Sequence, residues 1–262
     1  MSPHNLSAFE ADHDLPRADY ETRLEALQHR LELIQAAYIA QGLKGIVAIE
    51  GWDASGKGGL ITRLAAPLDP RYCKVWPISA PSTEEASRHY LWRFWQRLPG
   101  NREIAVFDRT WYGRVLVERV DGYAPEPRWR KAYHEINEFE ALLRDDGVRL
   151  AKIFLHITQA EQDRRLEERI KTPWKRWKTG TDDYHNRSQR LAYIDAYQDM
   201  FQQCSPPEAP WHVVAANDKK WARVRSLEIA CDTLGAGVDL RWPDPDPELV
   251  KIAEKALGKS LF

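Results

Sequence analysis

A chain of 262 residues, 43% of them hydrophobic, is long enough to bury one large α/β core. Its 38 Lys and Arg against 39 Asp and Glu leave a formal charge of −1, so no global positive charge advertises nucleic acid or a membrane surface as partner. No apolar run approaches the roughly 20 residues of a membrane helix, the N-terminus is polar, and Cys73, Cys204 and Cys231 lack C-x-x-C spacing, so a cytoplasmic protein with buried free thiols is expected.

Residues 1–17 hold Asp12, Asp14, Pro3 and Pro16 without apolar periodicity and read as a loosely ordered arm. From Tyr20 a helix begins, with Leu24, Leu27, Leu31, Ile34 and Tyr38 on one face until Gly42 and Gly45 end it. The apolar run Ile46-Val47-Ala48-Ile49 is a first strand. It runs into Glu50-Gly51-Trp52-Asp53-Ala54-Ser55-Gly56-Lys57-Gly58-Gly59 and then a helix from about 59 to 66, stopped by Pro67. A strand that passes through a glycine-rich turn closed by lysine into a helix is the phosphate-cradling loop G-x-x-x-x-G-K. Backbone N–H groups and a helix N-terminus point at one anion there, and Lys57 adds a full positive charge.

Such a loop ordinarily closes with Ser or Thr after the lysine, whose hydroxyl ligates Mg²⁺. Gly58 occupies that position, and a carboxylate, Asp53, stands inside the loop where it would repel phosphate. Both departures resolve together if Asp53 holds the divalent cation, with Ser55 as the alternative ligand.

Cys73-Lys74-Val75-Trp76 is a short second strand. Ser82-Thr83-Glu84-Glu85 opens with a capping box a helix predicted to run to Leu98, where Pro99-Gly100 breaks it. Glu103 to Arg109 is a third strand ending in Asp108, the shape of a strand-tip aspartate that reaches Mg²⁺ from beside the loop; capping of the next turn is the other reading. A helical pattern follows Trp111-Tyr112-Gly113-Arg114, and another spans about 128–146. Leu150 to Ile157 is the fourth strand, in which His156 alternates with apolar neighbours and reads as a hydrogen-bonded core residue. A helix over 159–171 is stopped by Pro173. Trp174-Lys175-Arg176-Trp177-Lys178 and Gly180 form a loop before a long helix over about 184–204. Trp211 to Ala216 is the fifth strand, 219–234 a closing helix, and Trp242-Pro243-Asp244-Pro245-Asp246-Pro247 a rigid linker to a short C-terminal helix. The expected organisation is one phosphate-loop domain over 18–240, with a lid at about 160–182 and a C-terminal extension over 241–262.

Two basic clusters flank the loop. Arg88, Arg93, Arg97, Arg102, Arg109, Arg114 and Arg119 surround the third strand; Arg164, Arg165, Arg169, Lys171, Lys175, Arg176 and Lys178 follow the fourth. Together they suit more negative charge than one nucleotide brings, and a long polyanion is the natural candidate. Arg165 and Arg169, four apart on one helix face, could close on a single anion; solvent-facing pairs of Glu161 with Arg165 and Arg164 with Glu168 are the alternative. The aromatics of Trp92-Arg93-Phe94-Trp95 read either as core or as a base-stacking surface.

Gly51 to Gly59, Phe107-Asp108-Arg109-Thr110-Trp111-Tyr112, Val117-Glu118-Arg119-Val120, Lys175-Arg176-Trp177-Lys178, Trp211-His212-Val213-Val214 and Asp218-Lys219-Lys220 together resemble the polyphosphate kinase 2 family, over roughly residues 20–235. The resemblance implies an α/β fold of the phosphate-loop kinase type, with a parallel five-stranded sheet sandwiched by helices, thymidylate-kinase-like, and a helical lid. It implies Mg²⁺ or Mn²⁺, inorganic polyphosphate and a purine nucleotide (AMP or ADP) as partners rather than nucleic acid or membrane, and a homodimer or homotetramer. Asp53, Lys57, Asp108 and Arg109 would form the catalytic centre, with Asp53 and Asp108 on the metal, and Arg165 would join them. Gly51, Ala54, Ser55, Gly56, Gly58 and Gly59 would line the phosphates with Arg114, Arg169, Lys175 and Lys178, while Arg93, Arg97 and Arg119 would take polyphosphate. Trp111 to Glu118 departs from the W-Y-N-R-A-G-V-E of members that phosphorylate diphosphates and looks more like the branch acting on AMP, or on both AMP and ADP. The residues by themselves leave open an ATP-dependent nucleotide or nucleoside kinase, and a non-catalytic module that binds nucleotide or single-stranded nucleic acid.

Overall fold

The computed structural model describes residues 5–11, 13–241 and 244–261. Residues 1–4 and Asp12 of the expected arm, and Trp242 and Pro243 of the expected linker, lie outside the described residues. The strands β1 (Lys44–Gly51), β2 (Cys73–Pro77), β3 (Ile104–Asp108), β4 (Val148–His156) and β5 (Trp211–Ala215) form one wholly parallel sheet in the order β2-β3-β1-β4-β5. Every residue of β1 after Lys44 is buried, as a central parallel strand covered on both faces requires. That coverage explains why its sequence is a continuous apolar run and not an alternation.

The helices are α1 (Arg17–Gln41), α2 (Lys57–Ala65), α3 (Thr83–Ala86), α4 (Trp92–Trp95), α5 (Val117–Val120), α6 (Glu126–Asp145), α7 (Gln159–Lys171), α8 (Thr181–Ser188), α9 (Arg190–Gln203), α10 (Lys219–Gly235) and α11 (Pro247–Leu257). They sandwich the sheet. α1, α2 and α10 pack together, α10 also lying on β4, while α6 meets β4 and joins α5, α9 and the 3₁₀ turn Trp111–Val115 as a second set. α1 is fastened to α10 by Arg23 on Glu228 at 2.6 Å, Arg30 on Asp232 at 2.7 Å, and the Tyr38 hydroxyl donating to Leu234 O at 2.8 Å. All three cysteines are buried and free.

Two expected helices are broken in the structure. The stretch predicted as one helix over 82–98 is α3 followed by α4, although the capping box of Ser82 and Glu85 forms as read. In one continuous helix Glu85 and Arg97 would be about 18 Å apart at 1.5 Å per residue. The break brings them to a 2.8 Å hydrogen bond. The helix predicted over 184–204 likewise divides at Gln189 into α8 and α9. The bend sends Arg190 inward, where its guanidinium lies 3.9 Å from the centroid of the Trp52 ring and donates to Ile157 O and Gln162 Oε1, both at 2.6 Å. Tertiary bonds override a locally helical pattern in both cases.

Within the stretch read as an arm, Leu6 is buried in the main core and His13 stacks on Trp221 at 4.1 Å. The Leu15 N–H donates to Asp218 at 2.9 Å. These contacts are isolated anchors, which produce no periodicity for the sequence to display. No described helix is long and apolar enough to cross a membrane.

Candidate active site

In a parallel sheet of this kind the loops beyond the strands' carboxyl ends converge on one crevice. Here the ends of β1, β3, β4 and β5 do so. β1 delivers the loop Gly51 to Lys57, and the shape of that loop is set by its backbone. Gly51 has φ +145°, and a Cβ there would stand 2.5 Å from Leu155 O; Gly56, the residue before α2, has φ +112°. Only glycine fits such positions without strain. Ala54 (φ 63°) and Arg109 (φ 67°) adopt the left-handed region without being glycine, a cost that neighbouring contacts must offset.

Those contacts are visible. Arg109, the residue after β3, donates from Nη2 to Asp53 Oδ1 at 2.8 Å, and the Asn186 amide of α8 donates to Asp53 Oδ2 at 2.8 Å. Gln162 of α7 holds the Asp53 carbonyl at 3.2 Å. Burial alone would raise the Asp53 carboxyl, but the cations Lys57 and Arg109 and the hydrogen bonds from Asn186 and Arg109 outweigh it and hold the group below the usual range. Lys57 donates back to its own loop, to Gly51 O at 2.8 Å and Trp52 O at 3.1 Å. Glu50, buried just before the loop, accepts from both the backbone N–H and the hydroxyl of Thr110 at 2.8 Å, clamping the end of β1 to the turn after β3. Burial raises its pKa despite those bonds.

Arg165 is turned inward. Its Nη1 donates to Ala54 O at 3.0 Å and Ser55 O at 2.8 Å, its Nη2 to Ala216 O at 2.7 Å and Asn217 O at 2.8 Å, and its Nε to Glu161. All five N–H donors of a guanidinium are thereby satisfied within the protein. The residue staples the phosphate loop to the end of β5 and to the start of α7, and the Glu161–Arg165 pair expected as the alternative is part of that staple.

The remaining expected residues divide. Gly58 and Gly59 open α2, and nothing lies within 4 Å of where a Gly58 Cβ would be, so lack of space does not explain the missing hydroxyl. Arg169 donates to Lys178 O at 2.9 Å, Lys175 pairs with Glu168, and the Lys178 ammonium stands 5.1 Å from the Trp177 ring centroid, all within the segment read as the lid. Arg93 is nearly buried against Ser79 O at 3.0 Å. Arg97 pairs with Glu85, Arg114 with Glu118 at 3.0 Å and Arg119 with Asp199 at 2.7 Å. Within the arginine cluster around β3, Arg109 and Arg119 pair with carboxylates distant in the sequence, Arg93 and Arg97 share Glu85, and Arg88 and Arg114 pair with carboxylates four residues away. Phe94 packs with Phe107 and Trp111 as core.

A divalent cation suits the donors present. Asp53 in the loop after β1 and Asp108 at the end of β3 offer hard carboxylate oxygens beyond neighbouring strands, with Ile49 of β1 paired to Asp108 of β3. The Ser55 hydroxyl is buried with no partner among the described residues. No group of three or more His, Cys, Asp and Glu that could hold a metal exists among the described residues. Mg²⁺ fits such a sparse set, because it typically takes one or two carboxylates and fills its remaining positions with water and substrate phosphates.

Asn186, Glu50, Thr110, Gln162 and Arg190 are neighbours of the site that the sequence reading did not single out. Glu50 directly precedes the loop motif, and Thr110 lies within the motif at the end of the third strand. Asn186 carried no signal, since 133 positions separate it from Asp53.

The parallel sheet, the glycine-rich loop with its closing lysine and the strand-end aspartate define a phosphate-loop α/β protein of the kinase type. The family model described as polyphosphate kinase 2 matches residues 14–237, and the chain belongs to that family. It is 43% identical over 233 residues, 88% of its own length and 47% of the relative's, to a Pseudomonas aeruginosa protein named polyphosphate:AMP phosphotransferase. It is 37% identical over 254 residues to a Meiothermus ruber protein named AMP/ADP-polyphosphate phosphotransferase, covering 96% of this chain and 93% of that one. The crystal structure of polyphosphate kinase 2 from Arthrobacter aurescens superposes with a TM-score of 0.86 at 32% identity, covering 98% of this chain and 90% of that one. The chain spans about half the length of the two Pseudomonas proteins named polyphosphate:AMP phosphotransferase.

Proposed function

We propose that the chain is a divalent-metal-dependent phosphotransferase that moves a phosphoryl group between the end of an inorganic polyphosphate chain and AMP or ADP. The observation that carries this reading is the carboxylate inside the phosphate loop, Asp53, held ionised between Arg109 and Asn186. A loop built only to cradle phosphate gains nothing from a fixed negative charge at its centre; a loop that takes phosphate together with a cation does.

Loop amides from Gly51 to Lys57 and the α2 N-terminus would hold the transferring group, with Lys57 leaving its own carbonyls for phosphate oxygens. Asp53 and Asp108 would carry Mg²⁺ or Mn²⁺, which when bound supplies charge neutralisation between donor and acceptor phosphates. Arg109 stands on Asp53 and faces the same crevice, where its guanidinium would take charge that spreads over the equatorial oxygens. No general base is required, because the acceptor phosphate is already anionic near neutral pH; the rate comes from positioning and electrostatics.

The test is incubation of the chain with Mg²⁺, long-chain polyphosphate and either AMP or ADP, with chromatography of the nucleotides. A longer nucleotide that requires both polyphosphate and the cation is the expected result. Phosphorylation that proceeds with ATP as donor and never with polyphosphate would overturn it. Asp53→Asn should lower metal-dependent turnover at least about 100-fold, the scale of a lost electrostatic stabiliser, while leaving circular dichroism unchanged.

A further inference from the structure

Asp53 presents two carboxylate oxygens to two very different donors. Oδ1 accepts from the charged Arg109, whereas Oδ2 accepts from the neutral side-chain amide of Asn186, with the Lys57 charge acting on the carboxylate as a whole. Asn186 lies in the last turn of α8, and its own Oδ1 accepts from the Tyr193 hydroxyl of α9 at 3.3 Å, which fixes the amide with its NH₂ toward the carboxylate. Other polar ties of α8 run elsewhere: Arg187 to Asp163, Asp183 to Arg169 and the Tyr184 hydroxyl to Leu166 O, all on α7, and His185 to Asp121. Asn186 is therefore the tie from α8 to the phosphate-loop carboxylate.

A divalent cation arriving at Asp53 meets Arg109 on one oxygen and an uncharged amide on the other. The amide N–H and the cation are both electropositive and compete for Oδ2; a full double charge outweighs the partial charge of an amide hydrogen. We propose that Asn186 is a cation-released latch: without a metal its amide ties α8 to the phosphate loop, and Oδ2 would be given up to a bound cation, releasing that one tie while the bonds of α8 to α7 and Asp121 remain. The latch rests on the metal reading of Asp53 given above. It gives the lid segment a reason to loosen when the loop is loaded, and it makes Asn186 a positioning residue that acts through Asp53.

The experiment is an Mn²⁺ titration, read as the electron paramagnetic resonance of the free ion, without polyphosphate or nucleotide, on the wild-type chain, Asn186→Leu, Asn186→Ala and Asp53→Asn. Hydrogen exchange over residues 181–188 is followed with and without Mn²⁺. Removing the competing amide should tighten Mn²⁺ binding about tenfold, the scale of one hydrogen bond to a charged group, and speed exchange over 181–188 in the metal-free variant. In the wild type, Mn²⁺ itself should speed exchange there. A merely structural Asn186 would give the opposite sign, a loosened site with weaker Mn²⁺. Unchanged or weaker Mn²⁺ affinity in both Asn186 variants overturns the latch, as does wild-type exchange over 181–188 that ignores Mn²⁺. The second measurement decides the matter even if neither variant folds. Wild-type Mn²⁺ binding that survives Asp53→Asn, or no binding at all, overturns the metal reading and the latch together; Asp53-dependent binding that no Asn186 variant alters overturns the latch alone.

Discussion

Arg165 shows how far a side chain's role depends on where its donors end up. Its spacing from Arg169 suits a phosphate clamp, yet its guanidinium is 3% exposed and bonded to four backbone carbonyls and Glu161. Lysine at that position would retain the charge but could not reproduce a planar fork that meets carbonyls from two loops. Arg165→Lys should therefore destabilise the fold by at least about 2 kcal/mol, since each buried carbonyl left without a donor costs about 1–3 kcal/mol. Arg169→Lys, on a side chain that donates to the nearby Lys178 O, should cost less than about 1 kcal/mol. Urea unfolding of the two variants makes the comparison, and a stable Arg165→Lys chain that has lost only turnover would return the residue to the phosphate-facing role. Ala54, one of the residues whose carbonyl Arg165 holds, is also the left-handed non-glycine of the loop, so the staple and the strain belong to one device.

At the scale of elements, the end of β4 supports the phosphate loop from behind. The Trp52 indole N–H donates to His156 Nδ1 at 2.9 Å, which requires the ring to be neutral at that nitrogen, and burial lowers the His156 pKa from 6.5 to about 4. Between those two values the unfolded chain binds a proton that the folded chain refuses, so stability should fall as pH drops from 6.5 toward 4. His156→Gln, which retains an acceptor but does not titrate, should flatten that slope; denaturant midpoints across the window measure it, and identical slopes would mean the histidine is already protonated in the fold. The expectation that His156 is a hydrogen-bonded core residue was legible from its alternation with apolar neighbours. The five strands were legible too, each a short apolar run bounded by Gly, Pro or an acidic residue. The breaks before α4 and at Gln189 were not, because Glu85 with Arg97 and Arg190 with Trp52 decide them through space. For the same reason the loop and its aspartate stood out in the sequence, while the asparagine that reaches them from α8 had no local mark.

The whole molecule is drawn together by an ion pair with no access to water. Lys152 of β4 donates to Glu140 Oε2 of α6 at 2.7 Å and to Cys204 O at the end of α9 at 2.8 Å, while Trp111 Nε1 and the Tyr112 hydroxyl donate to Glu140 Oε1 at 3.0 and 2.7 Å. Four elements on one side of the sheet meet there, including the turn that follows Arg109. Breaking such a pair leaves an uncompensated buried charge, so Lys152→Met should cost about 3–5 kcal/mol. Adding Glu140→Gln, which removes the charge and still accepts from Trp111 and Tyr112, should restore part of that loss; chemical denaturation of the single and double variants reads it, and strict additivity would show the two residues to be uncoupled. The strand order has a consequence of another kind. β1 takes β3 along one edge and β4 along the other, with Gly51 paired to Leu155. A nascent polypeptide therefore carries the phosphate loop half-walled from the completion of β3 until β4 is made, and parallel pairing across so long a stretch of chain is slow. The loop after β1 thus gains its β3 wall first and its β4 wall only after α6 has also been made.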